Sequence, residues 1–267
     1  MPANSENFCP PLARLLPSVD ADEAGAIERA VHNITDATVR GLGSNLCSFY
    51  LTGSLTSGDF HRDSSDIDFT AITNTEIDSQ QESSLQAAYT EVRTGGHWWD
   101  SRTEGVFLTK DFCAAPDTIP TRRHALKTSG ELVITPARSD WIVQLKLAQQ
   151  NGIWLAGEVE LQAISTPVTT EQLLEVANLS SMPFIKRPEA DVQPARTTAL
   201  HVLSACRIAY TRSEGTIASK VTSADWAKNR YPDYSQIIDE ALLKRGDSSE
   251  ALCYDAYDFI DILTNAI

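Results

Sequence analysis

The spacing of apolar residues changes period about three-fifths of the way along the chain. Ala24, Ile27, Ala30, Val31 and Ile34 recur at helical spacing, which predicts a helix over residues 21–41 closed by Gly41. Residues 46–51 are short and rich in β-formers and run into Thr52-Gly53-Ser54, so they read as a strand entering a turn. Residues 66–72 alternate in part, with Ile67, Phe69 and Ala71 on one face, and predict a second strand. A helix follows over residues 79–92, and residues 103–109 alternate again as a third strand. Residues 111–138 carry Pro116, Pro120 and Pro136 and read as a long irregular loop with one short strand at 132–134. Residues 139–151 predict a helix with Ser139 as N-cap, ended by Gly152.

Beyond Gly157 the pattern is nearly all helical. Helices are expected over residues 169–179, 195–212, 219–229, 234–244 and 250–267, the second of them strongly apolar. This change places a domain boundary near residue 160, in the segment around Pro167. The expected fold class is α+β: a first domain over residues 1–160 with a mixed sheet and flanking helices, and a second over residues 161–267 that is an α-helical bundle.

The informative motif is Gly53-Ser54, eleven residues, then Asp66-Ile67-Asp68. Carboxylates at i and i+2 on a strand point to one face, where a pair can hold a hard cation such as Mg²⁺ with substrate phosphates completing its shell. A strand–Gly–Ser turn opening a helix presents backbone N–H groups and a hydroxyl to phosphate, and glycine leaves the approach unobstructed. Either feature alone is common on solvated surfaces; together they point to phosphoryl transfer. A third carboxylate is expected, to share a second metal or to take the proton from an attacking hydroxyl. Glu104 lies in the alternating third strand and points inward beside the pair. Asp100 precedes that strand, after Trp98 and Trp99, and is expected to be solvated.

Charge narrows the choice of partner. The 267 residues include 36 Asp and Glu against 22 Lys and Arg, a net charge of −14. Such a chain repels nucleic acid and suits a cationic small molecule. The five cysteines form no CxxC pair, which argues against a zinc site or a disulfide framework and fits a reducing, cytoplasmic setting. The N-terminus lacks signal-peptide features, and no apolar run is long enough to span a membrane. A monomer is expected. The histidines at 32, 61, 97, 124 and 201 share no ligand spacing; His201, in an apolar helix, reads as a core residue. No Gly-x-Ser-x-Gly elbow supports a serine hydrolase.

Gly53-Ser54 with Ser65-Asp66-Ile67-Asp68 resembles the signature of the polymerase-β-like nucleotidyltransferases. Three later stretches narrow the resemblance: Leu155-Ala156-Gly157; then Cys206-Arg207-Ile208-Ala209-Tyr210-Thr211 with Gly215; then Ser219-Lys220 with Ala224-Asp225-Trp226-Ala227. Together these are similar to the streptomycin/spectinomycin adenylyltransferases. The resemblance implies an enzyme with ATP and substrate held between two domains. It implies Asp66 and Asp68 as Mg²⁺ ligands, Glu104 as catalytic base and third metal-site carboxylate, and Gly53, Ser54 and Ser65 at the phosphates. Arg207 and Lys220 would reach the triphosphate from the helical domain.

The sequence departs from members that accept streptomycin at two places. Gly130-Glu131 is followed by Leu132 instead of Trp, and Thr197 stands where an acid is expected. Spectinomycin, or a substrate outside the antibiotics, is favoured. AMP transfer to another metabolite or to a protein hydroxyl is one alternative, and a non-catalytic nucleotide-binding module is another.

Overall fold

Helix α1 (Ala21–Leu42) starts where the Asp20 carboxylate accepts a 2.9 Å hydrogen bond from the Glu23 amide, satisfying one of the four open N–H groups of a helix start. Its stripe of Ala24, Ile27, Ala30, Val31 and Ile34 is buried. In this computed structural model the described residues are 16, 19–117, 122–135, 140–180, 195–246 and 256–265. They divide into two units, Met1–Phe60 with Ser65–Val168 and His61–Ser64 with Thr169–Ile267.

The first unit is built on a six-stranded mixed sheet. Its strands are β1 (Leu46–Thr52), β2 (Ile67–Thr73), β3 (Thr103–Thr109), β4 (Arg123–Leu126), β5 (Leu132–Thr135) and β6 (Ile153–Gly157), in the order β5-β4-β3-β2-β1-β6. Among the described residues only β2 and β3 pair in parallel. Helix α2 (Ser54–Ser57) is a single turn after β1, and α3 (Ser79–Thr94) supplies the crossover a parallel pair needs. Asp78 and Gln81 form a reciprocal capping box at the start of α3.

Phe49, Phe69 and Phe107 lie on one face, the first two stacked at 4.9 Å and the second two edge-on at 5.8 Å. They form one core cluster with Ile34 and Ala37 of α1 and Leu85 and Tyr89 of α3. Gly105 sits under this cluster because a Cβ there would come within 2.5 Å of the Phe69 ring. On the other face the Tyr50 hydroxyl accepts a 2.6 Å bond from the Leu161 amide, at the start of α6 (Leu161–Ile164); burial pushes the Tyr50 pKa up. Helix α5 (Asp140–Asn151) packs on β1, β2 and β3 with Trp141, Ile142, Leu145 and Ala148 buried.

The expected loop over residues 111–138 proves more regular. It contains α4 (Lys110–Ala114), capped by the Thr109 hydroxyl, and the hairpin of β4 and β5. Strand β4 is hidden in sequence because it buries Arg123 and His124, residues that do not read as strand core. The Arg123 guanidinium lies 4.2 Å from the centre of the Phe112 ring, and burial lowers its pKa. Strand β6 is a second departure: it pairs with β1, but its residues are all half-buried and show no alternation.

The second unit contains α7 (Thr170–Ser180), α8 (Ala195–Glu214), α9 (Lys220–Arg230), α10 (Ser235–Lys244) and α11 (Ala256–Asn265). Its core is made of small and branched side chains, Ala199, Val202, Leu203, Ala205, Cys206 and Ala209 of α8 against Ala224, Ala227, Ile238, Ala241, Phe259 and Leu263. Arg212 donates to the carbonyls of Ala177 and Thr264, so one side chain closes carbonyls that the last turns of α7 and α11 leave open. The expected N-cap Ser139 and the expected first residues of the last helix, 250–255, lie outside the described residues. Among the described residues no helix is long and apolar enough to cross a membrane.

Candidate active site

The C-terminal end of β1 and the N-terminal ends of β2 and β3 meet at one end of the sheet. Thr52 is paired with Asp68, and Asp68 with Glu104. Residues directly opposite on paired strands share a face, so Thr52, Asp68 and Glu104 form a row across three strands. Asp66 precedes β2 by one residue, and Ile67 between the acids is fully buried. The sequence reading had put Asp66 on the strand itself; it stands just outside, where no strand ladder holds it.

The Gly53-Ser54 turn closes over this row. Gly53 has φ 73° and ψ −146°, a region nearly exclusive to glycine, and a Cβ there would lie 1.9 Å from Asp68 Oδ2. Glycine is required twice, for the backbone and for the close approach of the carboxylate. Ser54 opens α2, and its hydroxyl is buried without a hydrogen-bond partner. The hydroxyls of Thr52 and Thr70, on β1 and β2, are in the same condition. Buried hydroxyls are normally paired, so these atoms suit a polar ligand or its water. Ser65, half-buried, immediately precedes Asp66.

Among the described residues no three His, Cys, Asp or Glu side chains are gathered into a preformed metal cluster. Asp66 Oδ1 is engaged by the Arg102 Nε at 3.1 Å. The donor set still fits Mg²⁺, which is ordinarily held by one or two carboxylates while water and substrate phosphates fill the remaining positions. The carboxylates of Asp68 and Glu104 on neighbouring strands are oxygen donors of that kind.

Asp100 departs from expectation. It is 1% exposed, and its Oδ1 accepts a 3.2 Å bond from Asn33 Nδ2 of α1. It lies in a 3-10 turn, Trp99–Arg102, that packs on α1, a tertiary contact that the local pattern does not reveal. The same turn carries Arg102, which the sequence reading passed over; the only available signal was its place two residues before Glu104.

Arg207 lies on α8 between the buried Cys206 and half-buried Ile208, and Lys220 is the first residue of α9 after its N-cap Ser219. Both belong to the second unit. Leu132 is packed in the core of the first unit, its amide donating to Gln86 Oε1 at 2.9 Å. Thr197 is half-buried in the first turn of α8. His201 Nδ1 is 3.1 Å from the Tyr257 hydroxyl, and burial lowers its pKa. Of the acids on the last helices, Asp239 pairs with Lys228 and Glu240 with Lys244. An open cleft of about 420 Å³ lies between α3 and the β4–β5 turn, lined by Gln86, Thr90, Arg93, Gly130 and Glu131 among others, but its Arg93 already donates to two carbonyls.

Residues 168–263 match the family model of the aminoglycoside adenylyltransferase C-terminal domain. The structure is similar to the spectinomycin adenyltransferase AAD(9) from Enterococcus faecialis, solved with ATP and spectinomycin. The TM-score is 0.71 at 16% identity, covering 89% of this chain and 98% of that one. At this identity the likeness is one of fold. No curated protein matches the chain in sequence. Residues 168–263 are thus similar to the C-terminal domain of the aminoglycoside adenylyltransferases.

Proposed function

We propose that the protein transfers AMP from ATP to a hydroxyl of an aminocyclitol or aminoglycoside, with spectinomycin as first candidate. The observation that carries this reading is the row Thr52–Asp68–Glu104 closed by the Gly53-Ser54 turn. In the reaction Glu104 takes the proton of the acceptor hydroxyl. The oxygen forms a bond to the α-phosphorus, the α–β bridging bond breaks, and pyrophosphate leaves. Asp66, Asp68 and Glu104 would hold Mg²⁺, which when bound supplies positive charge against the triphosphate oxygens. The unpartnered Ser54 hydroxyl, with Gly53 and Ser65, suits the phosphates. Arg207 and Lys220 are assigned as the cations that offset charge on the α-phosphate and the leaving pyrophosphate.

The net charge of −14 favours a cationic acceptor. The structural neighbour was solved with spectinomycin. Leu132 is buried in the core, so it offers no surface side chain where streptomycin-accepting relatives carry a Trp. Pyrophosphate release with Mg²⁺-ATP against a panel of aminocyclitols and aminoglycosides tests the proposal. Release is expected with spectinomycin, and Glu104→Gln is expected to lower turnover by about 10²–10⁴-fold, the usual contribution of a positioned base. Silence across the panel would move the acceptor to another metabolite or a protein hydroxyl. Undiminished turnover by Glu104→Gln would overturn the mechanism.

A further inference from the structure

Asp66 is the one acid of the site that stands outside the sheet, so its carboxylate must be oriented by side chains. Arg102 Nε donates to Asp66 Oδ1 at 3.1 Å, and both groups are largely removed from solvent, the arginine more so. The guanidinium is itself held, its carbon 5.5 Å from the centre of the Trp98 ring and 5.6 Å from that of Trp99. Trp99 is 3% exposed and anchored in the core with Leu51, Leu55 and Ile67, whereas Trp98 is 66% exposed. A planar cation resting on indole faces loses little further freedom when it binds a carboxylate.

We propose that Arg102 is a positioning residue: gripped by Trp98 and Trp99, it binds one oxygen of Asp66 and so presents the other to the divalent cation of the nucleotide. The inference rests on the nucleotidyltransferase reading of the site. Two consequences follow from the geometry. The arginine fixes the carboxylate rotamer before any ligand arrives, and its charge offsets the repulsion among Asp66, Asp68 and Glu104. Outer partners of metal ligands act in this way, and their loss typically weakens metal binding 10–100-fold.

The test is Mn²⁺ binding to the full-length protein with a non-hydrolysable ATP analogue, followed by electron paramagnetic resonance, with the thermal melting of each variant measured beside it. Arg102→Met keeps the stem and removes the donor and the charge; the Mn²⁺ dissociation constant is expected to rise about 10–100-fold. Arg102→Lys, which keeps the charge without the planar fork, should recover part of that loss. Trp98→Ala removes an exposed ring, leaves the core intact and should raise the constant about two- to fivefold; it decides the matter should Arg102→Met fail to fold. Wild-type Mn²⁺ binding by Arg102→Met and Trp98→Ala, with Asp66→Asn weakened, would reduce Arg102 to a purely structural role. Wild-type binding by Asp66→Asn would instead overturn the metal reading of the site.

Discussion

In the first unit the sheet buries the hydroxyls of Ser48, Thr52, Ser54 and Thr70 and one oxygen of Asp100 without a hydrogen-bond partner, whereas the helices of the second close over alanine, valine, leucine and phenylalanine. Each unpaired buried polar atom costs about 1–3 kcal/mol. Such atoms persist where a ligand can satisfy them, and three of the hydroxyls lie on or beside the strands that carry Asp68 and Glu104. In the second unit His201 meets Tyr257 and Arg212 donates to two helix carbonyls, although the Arg212 Nε is itself buried without a hydrogen-bond partner. Substitutions should therefore separate: interior changes in the second unit act on stability, and changes at the sheet end act on turnover.

The largest stability effect is expected for Leu203→Ala, since Leu203 is fully buried in the α8 core. A loss of about 2–5 kcal/mol is expected from the lost transfer energy and the cavity left behind, read as a lower urea midpoint for the second unit. A loss below about 1 kcal/mol would mean that the helices collapse onto the site and that the core is less tightly packed than described. Gly53→Ala comes next. Its positive φ and the 1.9 Å approach to Asp68 Oδ2 predict a loss of about 1–3 kcal/mol from backbone strain alone. Turnover should fall further than stability, because the new methyl group displaces a carboxylate of the site. Full turnover in this variant would break the contrast between the two regions.

The smallest effect is a pH dependence. Burial lowers the His201 pKa, so the folded protein resists a proton that the unfolded chain accepts near pH 6.5. The unfolded state then binds more protons, and stability declines as the pH falls below that value. His201→Gln should flatten this part of the curve of urea midpoint against pH between 8 and 5. An unchanged slope would show that other groups carry it.

Local patterning made much of this protein legible. Helices α1 and α3, strands β1 to β3 and the second-unit helices α7 to α10 lie within about two residues of their sequence expectations, because each carries a strong period or a cap of its own. The common face of Asp68 and Glu104 was legible for the same reason, since alternation along a strand states which face a side chain takes, whereas the place of Asp66, just outside β2, was not. What the sequence could not state is partnership between distant segments. Strand β4 is a strand because β3 and β5 flank it, even though it buries an arginine and a histidine. Strand β6 is one because β1 offers it an edge. Asp100 is buried because a turn far along the chain packs on α1, and Arg102 reaches Asp66 across a separation of 36 residues. The sequence by itself determined which residues could form helices, strands and a phosphate-facing turn, since those follow from short-range sterics and periodicity. Only the tertiary structure decided which acid is held, by which cation, and which hydroxyls are left unpaired, since burial and pairing depend on neighbours that the local chain does not contain.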